Sequence, residues 1–303
     1  MDPVFRDLAQ RHVTARDGTR IGYQVQGDGP CIVFANGLGG TYLAFRHLYA
    51  GLGSGYRTIC WDYRGLYTSS APADERANTV AHQVDDLVDI LAQERVDEFA
   101  MVGWSMGVQV GFETIRRQRA RVRGLMAING TYGRAFRTVL GSRMVGRTIP
   151  ALLRLIRAQA ALAGKASKLI AGSDALISAM KRAGLVAETI DVDIFRQVAA
   201  GFQTVDWRIY SDLLSRLDEH DAEDVLATID VPVAIATGDR DLMTPPSTAE
   251  HMHRAIAGSR LCVIEGGSHY TPVEYPAILV DELDRWLARI PGWDRAARKA
   301  ATA

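Results

Sequence analysis

Hydrophobic positions in this chain alternate between two spacings. Residues 31–35 (CIVFA) form a continuous apolar run, the pattern of a strand buried on both faces, and 57–63 (RTICWDY), 98–103 (EFAMVG) and 122–128 (VRGLMAI) are further apolar-rich blocks that predict strands. Between these blocks the apolar residues spread to helical spacing. Val80, Val84, Leu87, Val88 and Leu91 mark a helix over 79–94, and further helices fit 41–50 and 105–118. Ahead of the first block, HVTA and RIGYQVQ flank Arg16-Asp17-Gly18-Thr19, and an Asp-Gly pair between two such runs predicts a hairpin. The alternation stops near residue 130 and resumes near 230. A strand at 231–238, a helix at 247–257, a strand at 260–266 and one closing helix over 272–290 then follow.

Strand–helix alternation implies an α/β fold with a mostly parallel central sheet and helices on both faces. The hundred residues between the two halves have helical composition and no clear strand. They are expected to form an inserted helical cap, dividing the chain into core (1–130), cap (131–225) and core (226–303). The Ala/Arg/Lys tail after Trp293 is expected to fray.

The chain has 303 residues, with 35 Lys plus Arg against 35 Asp plus Glu. A zero net charge excludes a generally basic nucleic-acid binder, and 48 % hydrophobic residues exclude a disordered chain. No stretch resembles a signal peptide or a membrane span, so a cytoplasmic chain without stable membrane insertion is expected. Oligomeric state is not readable. Cys31, Cys60 and Cys262 each sit in an apolar run with no C-x-x-C spacing, and are expected to be buried core thiols.

The overall balance hides a segregation. Residues 134–182 hold ten Lys or Arg and one acid, Asp174, whereas 183–228 hold ten acids and three Arg. Two readings follow: an amphipathic lid touching an interface or an anionic acyl substrate, or a solvated basic face paired with the acidic half. The pattern favours the second. In both, the inward side is apolar, so the substrate's acyl or alcohol portion should be hydrophobic. Phe202, Trp207 and Tyr210 are candidates for the pocket wall, although each also suits ordinary core packing.

The sharpest chemical signal is Gly103-Trp104-Ser105-Met106-Gly107, a G-x-S-x-G between a strand and a helix. A serine on such a turn stands above the sheet beside a helix N-terminus, where free N–H groups can meet an oxyanion. Its hydroxyl needs a base. Of seven histidines, His269 alone lies just past a strand, where catalytic groups of such sheets gather. His251 and His253, at i and i+2, point to different sides of a helix, and no metal site is expected. Asp239 and Asp241 both follow a strand and could orient the base, while Asn129, at the end of another strand, cannot supply a charge.

With these residues the chain resembles the α/β-hydrolases over roughly 20–130 and 230–290. Ser105, Asp241 and His269 reproduce that family's order of nucleophile, acid and histidine. The family's G-x-x-D-x-x-x-P pattern matches Gly238, Asp241 and Pro245, selecting Asp241 over Asp239. Its G-x-x-H turn is matched by Gly266 and His269, and its D-x-R-G by Asp62-Tyr63-Arg64-Gly65. The resemblance implies an oxyanion hole from the backbone N–H groups of Leu38 and Met106. Two departures stand out. Asn36 replaces the histidine of the family's His-Gly-x-Gly-Gly loop, and Tyr67 replaces the last glycine of R-G-x-G. The resemblance implies a cofactor-independent serine hydrolase acting on carboxylic esters of a small hydrophobic substrate. Thioesterase, lactonase, C–C bond hydrolase, perhydrolase and acyltransferase chemistry share the same triad, and a ligand receptor with vestigial activity is the alternative of another class. Ser105 excludes the Asp nucleophile of dehalogenases and epoxide hydrolases.

Overall fold

The computed structural model describes residues 2–137 and 143–293. Eight strands form one sheet: β1 (Ala9–Thr14), β2 (Arg20–Gln26), β3 (Cys31–Ala35), β4 (Arg57–Trp61), β5 (Phe99–Trp104), β6 (Val122–Ile128), β7 (Val233–Gly238) and β8 (Arg260–Ile264). Their order is β1-β2-β4-β3-β5-β6-β7-β8. The hairpin β1–β2 lies at one edge and β2 also meets β4 antiparallel; every other pair is parallel. β3 and β5 are buried at every position, which is why they read as unbroken apolar blocks.

The helices are α1 (Arg46–Leu52), α2 (Val80–Gln93), α3 (Met106–Gln118), α4 (Arg143–Ala158), α5 (Ala160–Ile170), α6 (Asp174–Arg182), α7 (Val192–Gly201), α8 (Trp207–Glu219), α9 (Glu223–Leu226), α10 (Pro246–Ala255), α11 (Thr271–Glu274) and α12 (Pro276–Leu287). One sheet face packs against α2, α3 and α10 through Leu87, Phe112 and Met252. The other packs against α1 and α12 through Leu48, Leu283 and Trp286. Among the described residues, six α-helices, α4 to α9, lie between β6 and β7, and a β-bridge from Gly133 to Asp221 closes the stretch that holds α4 to α8. Within it, Ile194, Phe195 and Val198 of α7 join the apolar cluster that holds Phe45 and Trp104.

Two sequence expectations need correction. The closing helix is two helices, because Pro276 disfavours helical backbone at Tyr275, which sits at φ −131° and ψ 53°. Cys31 and Cys60 are buried, but Cys262 is only partly so, since β8 is the other sheet edge. Burial raises all three thiols' pKa values, that of Cys31 to about 12. The tail expected to fray lies outside the described residues.

Candidate active site

β5 ends at Trp104, and Ser105 turns the chain into α3 with φ 55° and ψ −115°. Such backbone costs a β-carbon residue roughly 1–3 kcal/mol and must be held by its surroundings. Here the Ser105 N–H donates to the Ile128 carbonyl at 3.0 Å, and the Ser105 carbonyl accepts from Val108 N–H at 3.0 Å. The flanking glycines are required by contact. A Cβ on Gly107 would strike the Ala35 carbonyl, and one on Gly103 the carbonyl of Gly107.

Ser105 Oγ lies 2.8 Å from His269 Nε2, across 164 residues of sequence. On the other side of the ring, His269 Nδ1 is 2.9 Å from Asp241 Oδ2 and 3.1 Å from Oδ1. His269 is 5 % exposed and Asp241 2 %. Burial by itself would raise the Asp241 pKa; the neighbouring His269 and the hydrogen bonds from Thr244 outweigh it, holding the carboxyl below its usual value. Oδ1 accepts the N–H groups of Met243 and Thr244 at 2.8 Å each, and Oδ2 accepts the Thr244 hydroxyl at 2.7 Å. Asp239 instead accepts the Gly266 N–H at 2.8 Å, bracing the turn that carries His269.

Supporting groups surround this line. The Trp104 indole N–H donates to the His269 carbonyl at 2.9 Å, tying the residue before Ser105 to the histidine loop. Glu274, 3 % exposed, accepts the Ser268 N–H at 2.8 Å, the Ser268 hydroxyl at 2.5 Å and the Ala187 N–H at 2.7 Å. It thereby joins the histidine loop to the segment between α6 and α7. Asn129, dismissed on charge at the sequence level, donates to Asp241 Oδ2 at 2.9 Å and to the Ser268 carbonyl at 3.0 Å. Its place at the carboxyl end of β6 was the available signal. Nothing in the sequence marked Glu274 or Thr244.

The glycine loop after β3 is anchored from both sides. Asn36 donates to Cys60 Sγ at 3.1 Å and to the Trp61 carbonyl at 3.3 Å, and its own carbonyl accepts the Tyr63 hydroxyl at 2.7 Å. The Tyr67 hydroxyl donates to the Gly39 carbonyl. Both departures from the family motif therefore hold this loop. The Leu38 and Met106 N–H groups make no hydrogen bond among the described residues.

Ser105 and His269 open onto a cavity of about 550 Å³. Phe202, Trp207 and Tyr210 all line it, with Leu38 on the sheet side and Ile156 and Ile170 from α4 and α5. Among the described residues, no charged side chain lines it, and the Tyr210 and Tyr270 hydroxyls make no hydrogen bond. The cations expected to pair with the acidic half do so in part. Arg134 meets Asp221 at 3.1 Å, Arg157 meets Asp212 at 3.3 Å and Lys181 meets Glu188 at 3.2 Å, while Arg154, Lys165 and Lys168 make no ion pair among the described residues. Also among those residues, no group of three His, Cys, Asp or Glu is placed to hold a metal ion, and no helix is long and apolar enough to cross a membrane.

The model of the alpha/beta hydrolase family matches residues 32–282. The chain belongs to that family. Among curated relatives, an uncharacterized protein of Mycobacterium tuberculosis is 26 % identical over 97 % of this chain and 87 % of its own length. A pimeloyl-[acyl-carrier protein] methyl ester esterase of Neisseria meningitidis is 28 % identical over 64 % of this chain and 66 % of its own. Among solved structures, the enol-lactonase of Burkholderia xenovorans has a TM-score of 0.72 at 21 % identity, covering 92 % of this chain and 100 % of that one. An esterase from Rhodococcus has a TM-score of 0.71 at 22 % identity, covering 93 % and 99 %. The two structures share the alpha/beta hydrolase fold with this chain.

Proposed function

We propose that this alpha/beta hydrolase cleaves carboxylic esters of a neutral, hydrophobic small molecule through an acyl-enzyme. The observation that carries the reading is the hydrogen-bonded line from Asp241 through His269 to Ser105, ending at an apolar cavity. In this reading His269 Nε2 takes the Ser105 proton as Oγ attacks the ester carbonyl, and buried Asp241 fixes the tautomer and stabilises the imidazolium. The N–H groups of Leu38 and Met106 receive the oxyanion of the tetrahedral intermediate. Collapse breaks the C–O bond, and His269 returns its proton to the departing alcohol. Water, deprotonated by His269, then attacks the acyl carbon, and Ser105 recovers its proton as the acid leaves.

The cavity supports the choice of substrate. With no charged side chain among the described residues of its lining, a carboxylate or ammonium on the acyl portion would be desolvated without a partner, so neutral acyl groups are preferred. The two unpaired phenol hydroxyls can hold one neutral oxygen of the substrate. The test is hydrolysis of p-nitrophenyl esters of increasing chain length, with a thioester control, alongside labelling by a fluorophosphonate. Ester turnover and labelling should both vanish in Ser105→Ala, turnover by roughly 10⁴-fold or more. Labelling without turnover would instead identify a ligand receptor, and faster thioester cleavage would reassign the substrate class.

A further inference from the structure

Among the described residues, eight large apolar side chains are notably exposed, and five sit together on α4 and α5. Leu152, Leu155, Leu162, Leu169 and Ile170 are between 50 % and 81 % exposed. Leu152 and Leu155 are three apart on α4, and Leu162 and Leu169 seven apart on α5, so each pair shares one helix face. Lys165 stands between the second pair at the same spacing. With Arg154 and Lys168 it makes no ion pair among the described residues, and no acid occurs anywhere from 143 to 173.

These helices also form one wall of the cavity. Ile156, Ala163 and Ile170 line it, and Ile170 is half exposed besides, so the outer apolar face runs on into the rim of the site. Exposed leucines with Lys165 among them, flanked by Arg154 and Lys168 that make no ion pair among the described residues, match the composition of helices that lie in a membrane interface. The charge chooses among occupants. In a two-fold contact between copies the patch would meet itself and oppose cation to cation. An anionic lipid surface satisfies both components at once.

We propose that the outer face of α4 and α5 docks on an anionic lipid bilayer. Leu155, Leu162 and Leu169 enter the acyl boundary, and Arg154, Lys165 and Lys168 meet the lipid phosphates. Docking does not depend on the reading of Ser105, and Ser105→Ala should bind as the wild type does, so failure of one inference is separable from failure of the other.

Co-sedimentation of the full chain with vesicles tests this, comparing phosphatidylcholine alone with an equal mixture of phosphatidylcholine and phosphatidylglycerol. Binding to the mixture should exceed binding to phosphatidylcholine by more than tenfold and weaken with salt. Lys165→Gln with Lys168→Gln should cost roughly 25-fold, about fivefold per cation. Leu155→Glu, Leu162→Glu and Leu169→Glu together should abolish binding while soluble-ester turnover and the thermal melt stay unchanged. Equal binding to both lipids, no loss in the lysine variant, or a dimer that the leucine variant dissociates would each overturn the proposal, the last by assigning the face to a second copy.

Discussion

Asn129 and His269 share one oxygen of Asp241: the Asn129 amide donates to Oδ2 at 2.9 Å, and His269 Nδ1 lies 2.9 Å from the same atom. Asn129 also receives the Thr271 hydroxyl and holds the Ser268 carbonyl, so it fastens the acid to the histidine loop from behind. Asn129→Ala should lower kcat about tenfold with little change in KM, since it touches neither cavity nor substrate. Stability should fall by about 1–3 kcal/mol from the unpaired buried groups. Steady-state kinetics beside a urea melt reads both quantities.

Glu274 offers a second test of how the histidine loop is held. Glu274→Ala leaves three donors without an acceptor, those of Ser268 and Ala187, and should cost about 2–4 kcal/mol. Glu274→Gln keeps one acceptor oxygen and should fall between that variant and the wild type. Denaturant midpoints rank the three proteins; equal midpoints would remove Glu274 from this role.

Phe202 bears on chain-length preference. Its ring lies in the cavity wall against Tyr210, with centroids 5.5 Å apart. Phe202→Ala should move the optimum of the p-nitrophenyl ester series to longer acyl chains, with kcat/KM changing about fourfold for each methylene newly accommodated. An unchanged optimum would place the acyl chain elsewhere.

Acid stability has a nameable contributor in Asp17. Partial burial opposes its ionisation, but the Thr19 N–H, donated at 3.0 Å, and the Arg64 guanidinium outweigh this and hold its pKa at about 2. The unfolded carboxyl titrates near 3.9, so this stabilisation is complete above about pH 4 and is lost as pH falls toward 2. Melting temperatures between pH 5 and pH 2 should therefore decline less steeply in Asp17→Asn than in the wild type.

The parallel half of the fold could be read from sequence because its inner strands are buried on both faces, which leaves unbroken apolar blocks at 31–35 and 99–104. Ser105 and Asp241 could be read because each follows such a block, and His269 because it follows the apolar run of the edge strand β8. Backbone requirements helped as well: only glycine fits at 103 and 107. Glu274 left no trace, because one acid on a short helix looks like a surface residue until tertiary contacts bury it. The break at Tyr275 was signalled by Pro276, but the apolar periodicity running through it masked the proline. The pairing of cations was half legible: composition gave the opposing charges, while the choice between Arg157 facing Asp212 and Lys165 facing outward depends on helix rotation.

The bridge between Gly133 and Asp221 closes the stretch that holds α4 to α8 at its base, like the neck of a drawstring bag. Chain length beyond that neck is decoupled from strand register, because the two ends meet whatever lies between them. Lengthening a loop among α4, α5 and α6 adds closure entropy only logarithmically and leaves Ser105, Asp241 and His269 where the sheet puts them. The cavity wall that α4 and α5 supply can therefore vary in length apart from Ser105 and Asp241, whereas the segment between α6 and α7 stays tied to the histidine loop through Ala187 and Glu274.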